Sequence, residues 1–160
     1  MGGQKETGIG TMVRPTYETQ EHLKKEEELA KFAAYKWNCE MRKQDKFNQF
    51  DYVAINNGKV RAFVELRCRS NEYNKYPTCF VTANKISSAF SMHQATGLKI
   101  LFLVGWSDKI GVANLVKQYP ITIGGRFDRN DKADIEALAE IPISDFQIFG
   151  EVNEYTYSKV

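Results

Sequence analysis

Apolar residues recur at helical spacing in the first part of the chain. Between residues 19 and 44 they lie three, four or seven positions apart, at Leu23, Ala30, Ala34, Trp37 and Met41. That spacing predicts an amphipathic helix. Thr19 and the glutamates that follow it are typical of a helix N-terminus. The preceding residues, 1–17, are rich in glycine and polar residues without a period, and we expect a flexible tail there.

A β-hairpin is predicted to follow this helix. Extended segments at 47–55 and 60–69 flank the sequence Asn56-Asn57-Gly58, and Asn-Gly is a strong signal for a tight turn between strands. A short strand at 79–82 and a helix at 85–96 come next, and Gly97 is a suitable residue to end that helix.

The rest of the chain predicts strands at 98–104, 110–115, 121–123 and 138–143. Helix, hairpin, strand, helix and strand in succession are a mixed α/β order. We therefore predict a single α/β domain over residues 18–160.

Composition excludes several classes of protein. The 160 residues, 42% hydrophobic and 12% aromatic, are typical of a folded domain, and the net charge of +2 does not by itself indicate nucleic acid. Three widely spaced cysteines without a Cys-x-x-Cys pair favour neither a disulfide scaffold nor a zinc site. The longest apolar run, 100–106, is shorter than the roughly 20 residues that cross a bilayer. We expect a cytoplasmic protein with no membrane partner.

The second predicted strand of the hairpin carries charges on one of its two faces. Successive side chains of a strand point to opposite sides, so Glu65, Arg67 and Arg69 share a face. The alternate positions between 62 and 68 are apolar. On the preceding strand, Asp51 has the same parity as apolar residues that we expect to be buried. A buried carboxylate needs a partner or a metal ion.

These residues resemble the PD-(D/E)XK nucleases. The signature of that family is an acid on one strand and Glu-x-Lys on the next, followed by a strand and a helix that often supplies another Lys or Gln. The matching residues are Asp51, the tripeptide Glu65-Leu66-Arg67, and FVTANKISSAF at residues 80–90. The resemblance covers about residues 20–105. It implies a restriction-endonuclease-like fold, in which α-helices flank a central mixed β-sheet.

The resemblance also implies metal-dependent hydrolysis of DNA. Asp51 and Glu65 would hold Mg²⁺ or Mn²⁺, with the backbone carbonyl of Leu66 as a further ligand, because hard cations prefer oxygen. Such an ion neutralises charge on the phosphate and activates a water molecule. Glu27 matches an acid in the first helix that some members use as an extra ligand. Alternatively, Glu27 lies at the solvated end of the apolar stripe.

Arg67 stands where the family usually has lysine. Arginine keeps its proton near neutral pH, so it stabilises negative charge but is a poor proton shuttle. Lys85, at the start of the second predicted helix, is a candidate to replace the missing catalytic lysine. A solvated surface charge is the alternative for Lys85.

The register of the hairpin is a condition for a shared site. A regular two-residue turn at Asn57-Gly58 would pair Asp51 with Val64, and directly opposed residues share a face. Asp51 would then point away from Glu65. The nuclease hypothesis therefore requires an odd-length loop or a β-bulge between the two acids.

Further cations and aromatic residues are candidates for contacts with nucleic acid. Arg61, Arg69 and Lys75 could line a basic groove with Lys85, and Tyr73 could stack on an unpaired base. A charged solvated loop at 71–75 is the alternative.

Three functions remain open from the sequence. The preferred one is metal-dependent hydrolysis of DNA, which is then the partner of the protein. The family resemblance also allows a homodimer. The second is a nuclease fold that has lost turnover and serves as a nucleic-acid-binding or assembly module, and Arg67 is its main support. The third is a structural or protein-binding domain, whose acids would lie apart or be ion-paired with Arg67 or Arg69.

Overall fold

The computed structural model describes residues 13–125 and 135–151. The described helices are α1 (Val13–Trp37) and α2 (Ala83–Thr96). The described strands are β1 (Glu40–Lys43), β2 (Tyr52–Asn56), β3 (Lys59–Cys68), β4 (Thr78–Thr82), β5 (Lys99–Gly105), β6 (Lys109–Asn114), β7 (Ile121–Gly125), β8 (Ile135–Pro142) and β9 (Gln147–Glu151). A turn of 3₁₀ helix, Ile143–Asp145, lies between β8 and β9.

The strands form two sheets. The larger has six strands in the order β1-β2-β3-β5-β6-β9, and the smaller has three in the order β4-β8-β7. In the larger sheet β3 and β5 are parallel and the other neighbours are antiparallel. A parallel pair needs a crossover connection, which β4 and α2 supply here. The predicted mixed α/β architecture is confirmed.

The six-stranded sheet is covered on both faces. On one face Phe32 of α1 belongs to the same buried cluster as Val64 and Leu66 of β3. On the other face Phe102 of β5 packs with α2 and the three-stranded sheet. Because side chains alternate along β3, the residue between Val64 and Leu66 points away from α1, toward the layer that contains α2.

Helix α1 ends at Trp37, whereas the sequence predicts that it ends at residue 44. Asn38 adopts a left-handed backbone with φ of 52°. The N–H of Asn38 donates to the carbonyl of Tyr35 at 3.3 Å, and that of Cys39 donates to the carbonyl of Ala34 at 3.0 Å. This pair of bonds is a Schellman motif, which ends a helix. The prediction of helix beyond Trp37 was wrong, because apolar Met41 belongs to β1.

The start of α1 also differs from the prediction. The helix begins at Val13, so residues 13–17, which we assigned to a flexible tail, are helical. Pro15 lies in the first turn, where its missing N–H removes no intrahelical bond. Residues 1–12 of the predicted tail lie outside the described residues.

The hairpin has the bulge that a shared site requires. Asn57 and Gly58 have φ of 53° and 74°, as a type I′ turn needs. The register shifts between Ala54, which pairs with Ala62, and Ile55, which pairs with Val60. Arg61 is therefore the extra residue of a bulge.

The bulge aligns the two acids. Tyr52 pairs with Val64, so the preceding residue, Asp51, is level with Glu65. Strand β2 begins at Tyr52 rather than at residue 47, and residues 46–51 form turns and bends. The register condition for the nuclease hypothesis is thus met.

The remaining elements lie close to their predicted positions. Helix α2 ends at Gly97, whose φ is 73° and whose N–H donates to the carbonyl of His93 at 2.7 Å. Strands β1 and β9, at the two edges of the large sheet, were not predicted. The helices of the described chain include none that is long and apolar enough to cross a membrane.

Candidate functional site

Glu65 is a buried acid held between two cations. Its side chain is 1% exposed, and Oε2 lies 3.0 Å from Nη2 of Arg67. Its other oxygen, Oε1, lies 3.4 Å from Nζ of Lys85. In the described part of the chain, this Oε1 is buried without a hydrogen bond. A buried carboxylate oxygen that accepts no hydrogen bond is energetically costly. Oε1 therefore favours a further ligand.

Asp51 is fixed next to Glu65 by the backbone of β3. Its Oδ2 accepts a hydrogen bond from the N–H of Leu66 at 3.1 Å. The same oxygen lies 3.9 Å from Nη1 of Arg67. The bulge thus brings both predicted acids to one guanidinium group.

Arg67 lies close to three oxygens at once. Besides the carboxylates of Asp51 and Glu65, its Nη1 donates to the backbone carbonyl of Leu66 at 3.1 Å. Two carboxylates and a carbonyl are hard oxygen donors, which suit Mg²⁺ or Mn²⁺. The donor set therefore fits a divalent cation, although in this conformation a protein cation lies among the donors.

Lys85 is held in place by the segment before β2. Its Nζ donates to the backbone carbonyl of Gln49 and lies 5.3 Å from the ring centroid of Phe50. Ser88, one turn later on α2, donates to Oε1 of Gln49 at 2.9 Å. Gln49 and Phe50 were missed in the sequence, because its pattern predicts a regular strand there. Asp45 is the signal that marks the turn: its Oδ1 accepts a hydrogen bond from the N–H of Phe47 at 2.8 Å.

The surroundings of Glu65 raise its pKa. Burial is the main cause, and the negative charge of Asp51 adds to it, while Arg67 and Lys85 act in the opposite direction. Together they raise the pKa of Glu65 from its ordinary value of 4.5 to about 7. Its negative charge is therefore costly to the metal-free fold at and above neutral pH.

This shift predicts how stability depends on pH. Between pH 4.5 and about 7, the native state holds a proton on Glu65 that the unfolded chain has released. The free energy of unfolding of the wild type therefore falls as pH rises through this range. In EDTA, we expect Glu65→Gln to gain stability relative to wild type by about 2 to 3 kcal/mol between pH 4.5 and 8. Urea unfolding followed by circular dichroism measures the difference. A difference that stays constant with pH would contradict the assignment of the titration to Glu65.

Glu27 does not join the two acids. It is exposed on α1 and lines a surface depression with Lys31, Met41 and Tyr52, on the sheet face opposite Glu65. Among the described residues, no three His, Cys, Asp or Glu side chains are grouped so that they could hold a metal ion. This position agrees with a solvated glutamate at the end of the apolar stripe. It does not agree with Glu27 as an additional metal ligand beside Asp51 and Glu65.

The four residues predicted to contact nucleic acid fall into two groups. Arg61 is exposed at the bulge, four residues before Glu65 and so about 13 Å from it along β3. Arg69 and Tyr73 line a cavity at the other end of that strand, and Lys75 lies in the adjoining loop. The structure thus brings Arg69, Tyr73 and Lys75 to one end of β3, and Arg61 lies apart from them.

The residues that resemble the PD-(D/E)XK signature lie close together in this fold. Strand β3 of the mixed sheet carries Glu65 and Arg67, Asp51 directly precedes β2, and Lys85 lies in the first turn of α2. Residues 12–149 match the family described as "Phage putative PDDEXK endonuclease", so the chain belongs to that nuclease family and has a restriction-endonuclease-like fold.

The chain was also compared with solved structures and with curated proteins. A solved structure of Hjc from Archaeoglobus fulgidus, a Holliday junction resolvase from an archaeal hyperthermophile, is similar at a TM-score of 0.47 and 10% sequence identity. The match covers 78% of this chain and 89% of that chain. No curated protein matches the sequence significantly.

Proposed function

We propose that this protein hydrolyses DNA phosphodiester bonds with Mg²⁺ or Mn²⁺. The observation that carries the proposal is the convergence of Asp51, Glu65 and the carbonyl of Leu66 on one cation position. Membership of a nuclease family supports it. A divalent ion bound there would supply charge neutralisation at the phosphate and an activated water molecule.

Each protein group has a distinct part in the proposed site. Asp51 is oriented by the N–H of Leu66, and Glu65 is fixed by burial and by its two cations. Lys85 is held by the Gln49 carbonyl close to Glu65. An ammonium group held there stabilises negative charge that develops on the reacting phosphate.

Arg67 must move for a metal ion to bind. Its guanidinium contacts the same three oxygens that would ligate the ion, and two cations cannot share that position. Its side chain is part-exposed, so it has space to turn outward. A phosphate group is the natural alternative partner, because the planar fork of arginine matches phosphate oxygens.

A second candidate function also has a specific observation in its favour. The ion pair between Arg67 and Glu65 neutralises the acid without a metal, as expected of a nuclease fold that binds DNA without turnover. The same pair agrees with the structural-domain hypothesis, although the nuclease family gives that hypothesis no support.

Cleavage assays separate these functions. We expect wild-type protein to cut supercoiled or branched DNA in Mg²⁺ or Mn²⁺ but not in EDTA, and Asp51→Asn to bind DNA without cutting it. Asp145→Asn is a matched control, since Asp145 pairs with Lys117 on the surface. Binding of DNA by wild type without cleavage in any metal would favour the second candidate. Sedimentation of the same samples tests whether the protein forms the homodimer that the family resemblance allows.

A further inference from the structure

A cavity lined by Arg69 lies at the end of β3, about 13 Å along the chain from Glu65. It has a volume of about 460 Å³ and is formed where β3 ends, between β4 and the loop at 70–77. Its lining includes four aromatic residues and one charged residue, namely Tyr73, Tyr76, Phe80, Trp106 and Arg69. The volume is within the range of small-molecule sites.

The inner wall of the cavity is held rigidly. Trp106 is buried, and the ring of Tyr73 meets it edge-on at a centroid distance of 6.1 Å. The N–H of Tyr73 donates to Oδ1 of Asp108 at 3.0 Å, which anchors the loop. Arg69 donates from Nη2 to the carbonyl of Phe80 at 3.0 Å. The walls are thus in place without a ligand.

The mouth of the cavity presents exposed aromatic rings. Tyr76 is 54% exposed and Phe80 is 41% exposed. Nζ of Lys75 lies 5.5 Å from the centroid of the Tyr76 ring. The mouth therefore combines flat apolar surface with positive charge.

The cavity continues the charged row of β3. Arg69 directly follows β3, about 7 Å along the chain from Arg67. Its N–H donates to the carbonyl of Gly105 at the end of β5, at 2.8 Å. No acidic side chain is among the described lining residues. A ligand that reaches from the acids to the cavity passes Arg67 and Arg69 and then aromatic rings, which suits a phosphate backbone followed by a base.

We propose that the cavity receives one unpaired nucleobase of the DNA, stacked on Tyr76, while the neighbouring backbone lies against Arg69. The inference rests on the proposed function, because it takes DNA as the substrate. Aromatic rings stack on any base, so recognition is of an unpaired base rather than of a sequence. The preferred substrate class is therefore DNA with a bulge, flap or junction, and not an uninterrupted duplex.

Fluorescence of 2-aminopurine tests the proposal. An oligonucleotide duplex with one bulged 2-aminopurine is compared with the same duplex fully paired, using the full chain in EDTA so that no cleavage occurs. We expect quenching of the bulged base on binding, and a preference for the bulged duplex of roughly tenfold or more. Tyr76→Leu should lose both the quenching and the preference.

The matched control is Tyr35→Leu. Tyr35 is 72% exposed on α1, which packs on the other face of the large sheet, so this variant should retain both signals. Circular dichroism checks that Tyr76→Leu is folded. Equal affinity for the two duplexes, or equal loss of both affinities in Tyr76→Leu, would overturn the inference. Metal-dependent cleavage of the paired duplex would in that case still support the proposed function.

Discussion

Replacement of Glu65 by glutamine is expected to reduce metal-dependent DNA cleavage by roughly a thousandfold or more. The variant keeps the volume of the side chain but removes the charge that would hold a divalent ion. Glu65 is almost fully buried, and among the described acids only Asp51 then remains next to the position proposed for the ion. Single-turnover cleavage of supercoiled DNA in Mg²⁺ and in Mn²⁺ measures the loss.

A surface glutamate provides the matched control for this variant. Glu40 on β1 is exposed and pairs with Arg42, so Glu40→Gln should cleave at the wild-type rate. Urea unfolding in EDTA distinguishes loss of cleavage from loss of fold. We expect Glu65→Gln to be more stable than the wild type at pH 8, so a loss of cleavage would not come from unfolding. Cleavage that persists in Glu65→Gln would refute the assignment of Glu65 as a metal ligand.

Replacement of Arg67 by methionine is expected to separate metal binding from turnover. Removal of the guanidinium frees the oxygens of Asp51, Glu65 and Leu66, so Mn²⁺ should bind roughly ten- to a hundredfold more tightly. Cleavage should nevertheless fall, because the cation proposed to turn toward the phosphate is missing. Calorimetric titration with Mn²⁺ and single-turnover kinetics give the two results.

Two further variants make this experiment specific. Arg67→Lys restores the residue that is usual in the family and keeps the positive charge, so it should cleave DNA at a rate no lower than wild type. Arg42→Met removes an exposed arginine from a surface pair and should change neither property. Unchanged Mn²⁺ affinity in Arg67→Met would show that the guanidinium does not compete with the metal ion.

Local signals in the sequence predicted most of the fold that positions the site. Asn57-Gly58 predicted the tight turn, since few other dipeptides adopt positive φ at both positions. Alternation along β3 predicted that Glu65, Arg67 and Arg69 share a face, because the side-chain period of a strand is two. The grouping of Asp51, Glu65, Arg67 and Lys85 came from the family resemblance and required a bulge in the hairpin. In the structure, Arg67 lies near both acids and Lys85 lies near Glu65.

Other features of the site depend on contacts between distant parts of the chain. Nothing in the sequence of the hairpin specifies the bulge at Arg61, because Val60 and Ala62 fit either register locally and only packing on both faces of the sheet selects one. The position of Glu27 depended on how α1 packs, and its helical spacing alone could not show that α1 covers the face opposite Glu65.

By itself, the sequence determined the hairpin turn, the polar row of β3 and the order of the elements other than the edge strands β1 and β9, since each depends on neighbours within a few residues. Only the tertiary structure decided that Asp51 is level with Glu65, that Gln49 anchors Lys85, and that an aromatic cavity lies next to Arg69. These features join segments that are far apart in the chain, and their free energy comes from burial and packing that no local pattern encodes.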